Sequence, residues 1–298
     1  MINLSFDFNF FNNYYYFYER LIVILFSLVP SLILTFFVLY SDRKSKEPTR
    51  NILLCLLSGI LTISLANYFE GLVMPYFSNN ILLTYIWAFI EELSKMAVFF
   101  LFIFDNKYYD DIYDGIVYMM LIALSFAGLE NIMYAFSEST ISNSIGLSLM
   151  RDFTTVPLHV ICGIIIGHFM SLGSFSKDKK KKYINILCAI LVSSFIHGTF
   201  NNLMIMLDSL KVSNNIQILL FKTIPLFMIM IFLFVLAIKY TKVSSNLNDI
   251  FINNGTYDNK YYYLMNNDEY IDSNYRRQRI KRYEKISFKK FERNKFND

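Results

Sequence analysis

Long apolar segments separated by short polar loops recur along most of the chain. Each segment is about 20 residues long, the length an α-helix needs to cross the hydrocarbon core of a membrane. The predicted spans are 20–40, 51–73, 81–104, 115–136, 151–173, 184–206 and 217–240. This pattern indicates an all-α, polytopic transmembrane helix bundle of about seven spans over residues 1–240, with a polar, basic tail over 241–298.

Composition agrees with a membrane protein and not with a soluble domain of this length. Of the 298 residues, 55% are hydrophobic and only 17% are charged, against about 25% charged in typical soluble domains. The three cysteines, Cys55, Cys162 and Cys188, all lie in apolar spans. Their spacing predicts neither a disulfide framework nor a zinc ribbon, and we expect them to be buried apolar side chains.

Lysine and arginine residues are concentrated in alternate loops. Loops 41–50 and 174–183 are rich in basic residues, whereas loops 74–80 and 137–150 contain none. Basic loops lie on the cytoplasmic side of a membrane. The pattern therefore predicts an external N-terminus and a cytoplasmic C-terminus.

The tail carries ten basic residues between 275 and 295, interleaved with aromatic and aliphatic side chains. Beside a membrane span, such a segment favours contact with anionic lipids of the inner leaflet. A solvated basic tail that reinforces the topology is the favoured interpretation. Among the partners of the protein we expect membrane lipids and no nucleic acid.

Ionisable residues interrupt four of the apolar spans: Glu91 and Glu92, Glu130, His159, and His197. A charged side chain at the centre of a bilayer costs at least about 2.5 kcal/mol, so such residues usually face an internal cavity and mark a functional site. A buried ion pair that only fixes helix packing is the alternative for span 81–104.

Polar residues nearby on the same helices extend this candidate site. Lys95 follows Glu91 by four residues, shares its helix face and is expected to hold it ionised. Asn131 follows Glu130 directly, and Asn201 lies four residues after His197.

The heights of these residues in the membrane agree. With a rise of about 1.5 Å per residue, Glu91 lies about 15 Å below the outer surface, His159 about 12 Å, His197 about 10 Å and Glu130 about 8 Å. We therefore expect the four helices to present these side chains to one pocket in the outer half of the membrane.

A cluster of carboxylates, imidazoles and amides can hydrolyse a bond with activated water. One carboxylate can act as general base, while His and Asn donate hydrogen bonds to a developing oxyanion. Alternatively, Glu130, His159 and His197 hold zinc or another divalent metal, and Glu91 accepts the proton of the water. The sequence has no His-Glu-x-x-His motif that would signal zinc, and no nucleophilic Ser or Cys stands out.

These residues and their order resemble the PrsW family of polytopic membrane proteinases, which is related to the CAAX-type intramembrane glutamate endopeptidases. The resemblance runs over residues 40–202, about half of the chain. The matching motifs are Tyr40-Ser41-Asp42-Arg43-Lys44 with Glu47-Pro48, Glu91-Glu92-x-x-Lys95, Phe126-Ala127-x-x-Glu130-Asn131, Pro157-x-His159 and His197-x-x-x-Asn201.

The resemblance implies an endopeptidase of the bacterial plasma membrane that cuts a single-span, anti-sigma-factor-like protein near the outer face. It implies that Glu91 activates water with support from Glu92 and Lys95, and that Asn201 helps to hold the oxyanion. Glu130, His159 and His197 would complete the site. Glu130 stands where the CAAX-type relatives have His, which leaves the metal open. From the residues alone, a proton- or ion-coupled transporter and a non-catalytic scaffold remain alternatives, although no internal repeat typical of transporters is seen.

Overall fold

A computed structural model describes residues 17–41, 47–77, 80–106, 108–109, 112–176, 178–209 and 235. Within these ranges every regular element is helical, which confirms the all-α fold class. The predicted span 217–240, apart from residue 235, and the tail 241–298 lie outside the described residues, so the total of seven spans stays a prediction.

Seven α-helices follow one another in the described part of the chain. They are α1 (Phe17–Ser41), α2 (Thr49–Val73), α3 (Asn80–Phe102), α4 (Ile112–Phe136), α5 (Ile141–Phe153), α6 (Thr155–Ser174) and α7 (Lys179–Ser209). Six of them, all except α5, correspond to the first six predicted spans.

Among the described residues, five helical segments are long and apolar enough to cross a membrane. They are Phe17–Tyr40, Thr49–Tyr76, Ile112–Phe136, Ile141–Ser174 and Lys179–Met206. Helix α3 is also 23 residues long, but it carries Glu91, Glu92 and Lys95, which lower its apolar character. Length and composition thus agree with a protein of several membrane spans.

Helix α5 is where the sequence-based prediction was wrong, because residues 137–150 were expected to form a loop. The buried residues of α5 are polar and include Ser144, Ser148, Arg151 and Asp152. Its exposed side includes apolar residues, among them Phe153 at 65% exposure. In water this arrangement would be unfavourable, so the exposed apolar side is suited to contact with lipid.

Pro157 explains why α5 and α6 are separate helices. Proline has no backbone N–H and its ring collides with the carbonyl four residues earlier, so it is best tolerated in the first turn of a helix. Here Pro157 lies in the first turn of α6, and the backbone leaves helical geometry at Thr154. The predicted span 151–173 therefore begins at Thr155 instead, and Arg151 belongs to α5.

Helix α4 lies at the centre and packs against α1, α2, α5 and α6, while α3 packs against α2 and α7. Glycines allow close contact between α4 and α6, since a Cβ atom on Gly167 would lie 2.5 Å from the Gly115 carbonyl oxygen. A Cβ atom on Gly198 would likewise collide with the Tyr85 ring of α3. These contacts bring the ionisable residues of α3, α4, α6 and α7 together.

Candidate active site

Four ligand-capable side chains from three helices meet inside the bundle. Glu91 and Glu92 come from α3, His159 from α6 and His197 from α7. One ligand atom of each lies within 4.8 Å of those of the other three, and all four residues are buried. For these residues, the prediction that acids and imidazoles of successive spans meet in one place is confirmed.

Aromatic contacts hold the two imidazoles in place. The rings of His159 and His197 meet edge to face, with centroids 5.0 Å apart and planes at 88°. On another side, the His159 ring meets Phe126 of α4 at 5.1 Å and 72°. Such edge-to-face packing is a favoured ring geometry, so these contacts define the orientation of both rings within the cluster.

Glu92 of α3 is in hydrogen-bond contact with both Lys95 and His197. Its Oε1 accepts a bond from Lys95 Nζ at 2.7 Å and contacts His197 Nδ1 at 2.8 Å. Lys95 was expected to act on the charge of Glu91, and in the structure its direct partner is the neighbouring Glu92. On a helix, a residue can reach both its i+3 and its i+4 neighbour. Lys95 Nζ also lies 3.0 Å from His159 Nδ1.

Glu130 obtains its partners from two other helices, as its lack of a basic neighbour on α4 required. Its Oε2 accepts a bond from Arg151 Nη2 of α5 at 2.6 Å and from His159 Nε2 at 2.9 Å. His159 thus donates from Nε2 and presents Nδ1 as an acceptor to Lys95. One continuous chain of contacts results: Arg151, Glu130, His159, Lys95, Glu92 and His197.

Two carboxylate oxygens in this cluster have no hydrogen-bond partner in the described part of the protein. They are Glu91 Oε2 and Glu92 Oε2, both buried. Glu91 Oε2 lies 3.7 Å from His197 Nε2, which is too long for a hydrogen bond. Buried polar atoms are almost always paired with protein, water or an ion. Two unpaired carboxylate oxygens beside two imidazoles are the donor types that bind zinc and similar divalent metals.

The charges around the cluster also suit a divalent cation. Glu70 of α2, half-buried, interacts electrostatically with Glu91 and Glu130. When ionised, Glu70, Glu91, Glu92 and Glu130 carry four negative charges, and Lys95 and Arg151 carry two positive ones. The net charge of minus two equals the charge that a divalent metal neutralises.

Glu70 was missed by the sequence analysis, as was the role of Arg151. A signal for Glu70 was available, since it is the only charged residue in the predicted span 51–73. Arg151 had no comparable signal, because its importance depends on the contact between α5 and α4.

The two asparagines of the predicted set are placed differently from the acids and imidazoles. Asn131 is fully buried and its Nδ2 donates to Asp152 Oδ1 at 2.7 Å, in a junction with α5 and with Ser27 of α1. Asn201 is half-buried, one turn beyond His197 on α7. These contacts place Asn131 in the packing between helices, whereas Asn201 is placed only by its position on α7, one turn from His197.

Comparison with known proteins agrees with this cluster. The sequence profile of the PrsW family of intramembrane metalloproteases matches residues 47–238. Protease PrsW of Clostridioides difficile is 28% identical over 188 residues, covering 61% of this chain and 79% of the relative. Protease PrsW of Oceanobacillus iheyensis is 31% identical over 177 residues, covering 58% and 79%, and that of Geobacillus kaustophilus 27% over 192 residues, covering 61% and 81%. No solved structure matches the chain.

The matched region includes the whole cluster and more than half of the 298 residues. This decides between the classes that the residues alone left open, in favour of an enzyme over a transporter or a scaffold. The chain belongs to the PrsW family of intramembrane metalloproteases.

Proposed function

We propose that this protease cuts a single-span, membrane-anchored regulatory protein, with water activated at the buried cluster of Glu91, Glu92, His159 and His197. The observation that carries the proposal is the convergence of these four ligand-capable side chains within 4.8 Å. Such a group in a membrane interior is costly unless it binds something.

His159, His197 and Glu92 are the residues we propose to hold a divalent metal, zinc or one of similar preference. Glu130 then serves as the carboxylate behind His159, since imidazole ligands usually donate their second N–H to such a group. This differs from the set expected from the sequence, in which Glu130 was itself a ligand. When bound, the metal supplies Lewis-acid activation of water and of the substrate carbonyl.

Glu91 is the proposed general base. Its Oε2 accepts no hydrogen bond from the described residues, whereas Glu92 is engaged by Lys95 and His197. Glu91 takes a proton from water, the water oxygen attacks the carbonyl carbon, and the C–N bond breaks. The proton then passes to the departing amine. Asn201 is proposed to donate to the oxyanion during the attack.

The substrate class follows from the family resemblance and from the predicted topology. An anti-sigma-factor-like protein with one span would present its cleavage site near the outer face of the bacterial plasma membrane. The basic loops support this orientation, with the N-terminus outside and the C-terminus in the cytoplasm. In that orientation the cluster lies in the outer half of the membrane.

The test compares cells that express the wild-type chain, Glu91→Gln or Glu138→Gln, with protein N-termini mapped by mass spectrometry of the membranes. Glu138 lies in the turn after α4 and outside the proposed machinery. We expect new N-termini at the outer ends of single-span proteins with wild type and Glu138→Gln, and none with Glu91→Gln. New termini at equal abundance in all three strains would rule out the assignment of Glu91.

A further inference from the structure

We propose that two charges next to the metal-binding donors set the metal affinity in opposite directions: Lys95 competes with the metal, and Glu70 favours it. This inference rests on the proposed metal site and concerns its regulation. It follows from the contacts that Lys95 makes with two of the four donors.

The ammonium group of Lys95 already contacts two of the residues that a metal would use, at one nitrogen of His159 and at one carboxylate oxygen of Glu92. Nζ lies 2.7 Å from Glu92 Oε1 and 3.0 Å from His159 Nδ1. The other nitrogen of His159 is bonded to Glu130, so Nδ1 is the nitrogen left for a ligand bond. A cation bound by His159 and Glu92 therefore has to displace Lys95 Nζ, or to lie beside it.

The surroundings of Lys95 make this competition strong. Its side chain is fully buried, as is that of Glu92, and its Nζ lies 4.3 Å from the centre of the Phe126 ring. Because water screens little in such a place, two cations a few ångströms apart repel each other strongly. Lys95 therefore lowers the affinity of the donors for a metal while holding Glu92 and His159 in position.

Glu70 acts in the opposite sense. Its helix α2 packs against α3 and α4, the helices that carry Glu91 and Glu130, so its charge acts on both of theirs. When ionised, Glu70 completes the excess of two negative charges. Glu70 lies one turn from the end of α2 and is half-buried. A carboxylate there attracts a divalent cation without binding it directly, with an effect smaller than that of Lys95, since partial exposure screens it.

The experiment measures zinc affinity of the full-length chain in detergent, by competition with a chromophoric chelator at one fixed pH. The variants are Lys95→Met, Lys95→Gln and Glu70→Gln. Lys180→Met and Glu138→Gln are matched controls, because they remove the same charges outside the site. Circular dichroism and thermal unfolding check that each variant is folded.

We expect both Lys95 variants to bind zinc at least about tenfold more tightly than wild type, and Glu70→Gln at least about threefold more weakly, with the controls unchanged. Equal or weaker binding by the Lys95 variants overturns the competition, while zinc binding by wild type leaves the proposed metal site standing. If neither wild type nor the Lys95 variants bind zinc, the metal site itself is lost.

Glu70→Gln keeps the proposal testable if both Lys95 variants fail to fold. Zinc affinity lowered in Glu70→Gln but not in Glu138→Gln supports the charge balance. Zinc affinity unchanged in Glu70→Gln overturns the proposed role of the charge balance.

Discussion

Arg151 and Glu130 join α5 to α4 through an ion pair of 2.6 Å, and the same Glu130 oxygen accepts the hydrogen bond of His159. The next residues on both helices form a second link, with Asn131 donating to Asp152 at 2.7 Å. Through the first link α5 orients an imidazole of the candidate site. Through the second link α5 is held against α4 at a point where Asn131 also contacts Ser27 of α1.

Replacing Arg151 by Ala should destabilise the fold and the site together. The pair is largely buried, with side chains exposed by 10% and 12%, and removal of one partner leaves the other charge uncompensated. We expect a loss of about 3–5 kcal/mol in the free energy of unfolding. Denaturant unfolding of the purified protein measures it.

The double variant Glu130→Leu with Arg151→Met separates stability from function. Apolar residues of similar size remove both buried charges, so most of the stability should return. Proteolysis should stay reduced by about 10–100-fold, because His159 has lost its carboxylate partner. Recovery of full activity in the double variant would contradict the proposed role of Glu130.

Asn131→Ala should lower the stability of the protein, whereas Asp152→Asn should leave it equal or raise it. Asn131→Ala leaves Asp152 Oδ1 buried without a donor, which costs about 1–3 kcal/mol. Asp152→Asn introduces an N–H group beside Asn131 Oδ1, which lacks a partner in the described residues, so stability should be equal or higher. In both variants the activity per folded molecule should equal that of wild type. Loss of proteolysis in well-folded Asn131→Ala would return Asn131 to the catalytic set.

Two glycine-to-alanine changes offer a matched pair. A Cβ atom on Gly198 collides with Tyr85, whereas one on Gly146 of α5 meets no other atom within 4 Å. We expect Gly198→Ala to cost about 1–3 kcal/mol and to weaken metal binding, because His197 is pushed from Glu92. Gly146→Ala should stabilise the protein by up to about 1 kcal/mol, since Ala favours helix. Thermal unfolding with and without zinc distinguishes them, and equal behaviour would refute the close contact of α7 with α3.

Metal removal should abolish proteolysis and lower the thermal midpoint, because a ligand that binds only the folded state stabilises it. Treatment with a chelator, followed by dialysis against zinc, should reverse both effects in wild type. His197→Ala should show no response to either step, since one of the proposed ligands is missing. Full activity in metal-depleted protein would remove the metal from the mechanism and leave Glu91 to activate water without it.

Much of the helical architecture was predictable because hydropathy and the cost of buried charge act locally. Six predicted spans correspond to observed helices. Helix α5 was not predicted, since its buried face is polar and it resembles a loop in hydropathy. The signals for it were Thr140, which caps its N-terminus by accepting from Asn143 N, and Pro157, which marks the start of the following helix.

The sequence by itself determined that the chain forms apolar helices, that these carry acids and imidazoles, and that the ionisable groups lie at similar heights. Only the tertiary structure decided which of them touch: Lys95 with Glu92, Glu130 with Arg151, and Asn131 with Asp152. The physical reason is that spacing along a helix defines height and relative angle, whereas packing between helices, such as that at Gly167 and Gly115, defines how each helix is rotated about its own axis.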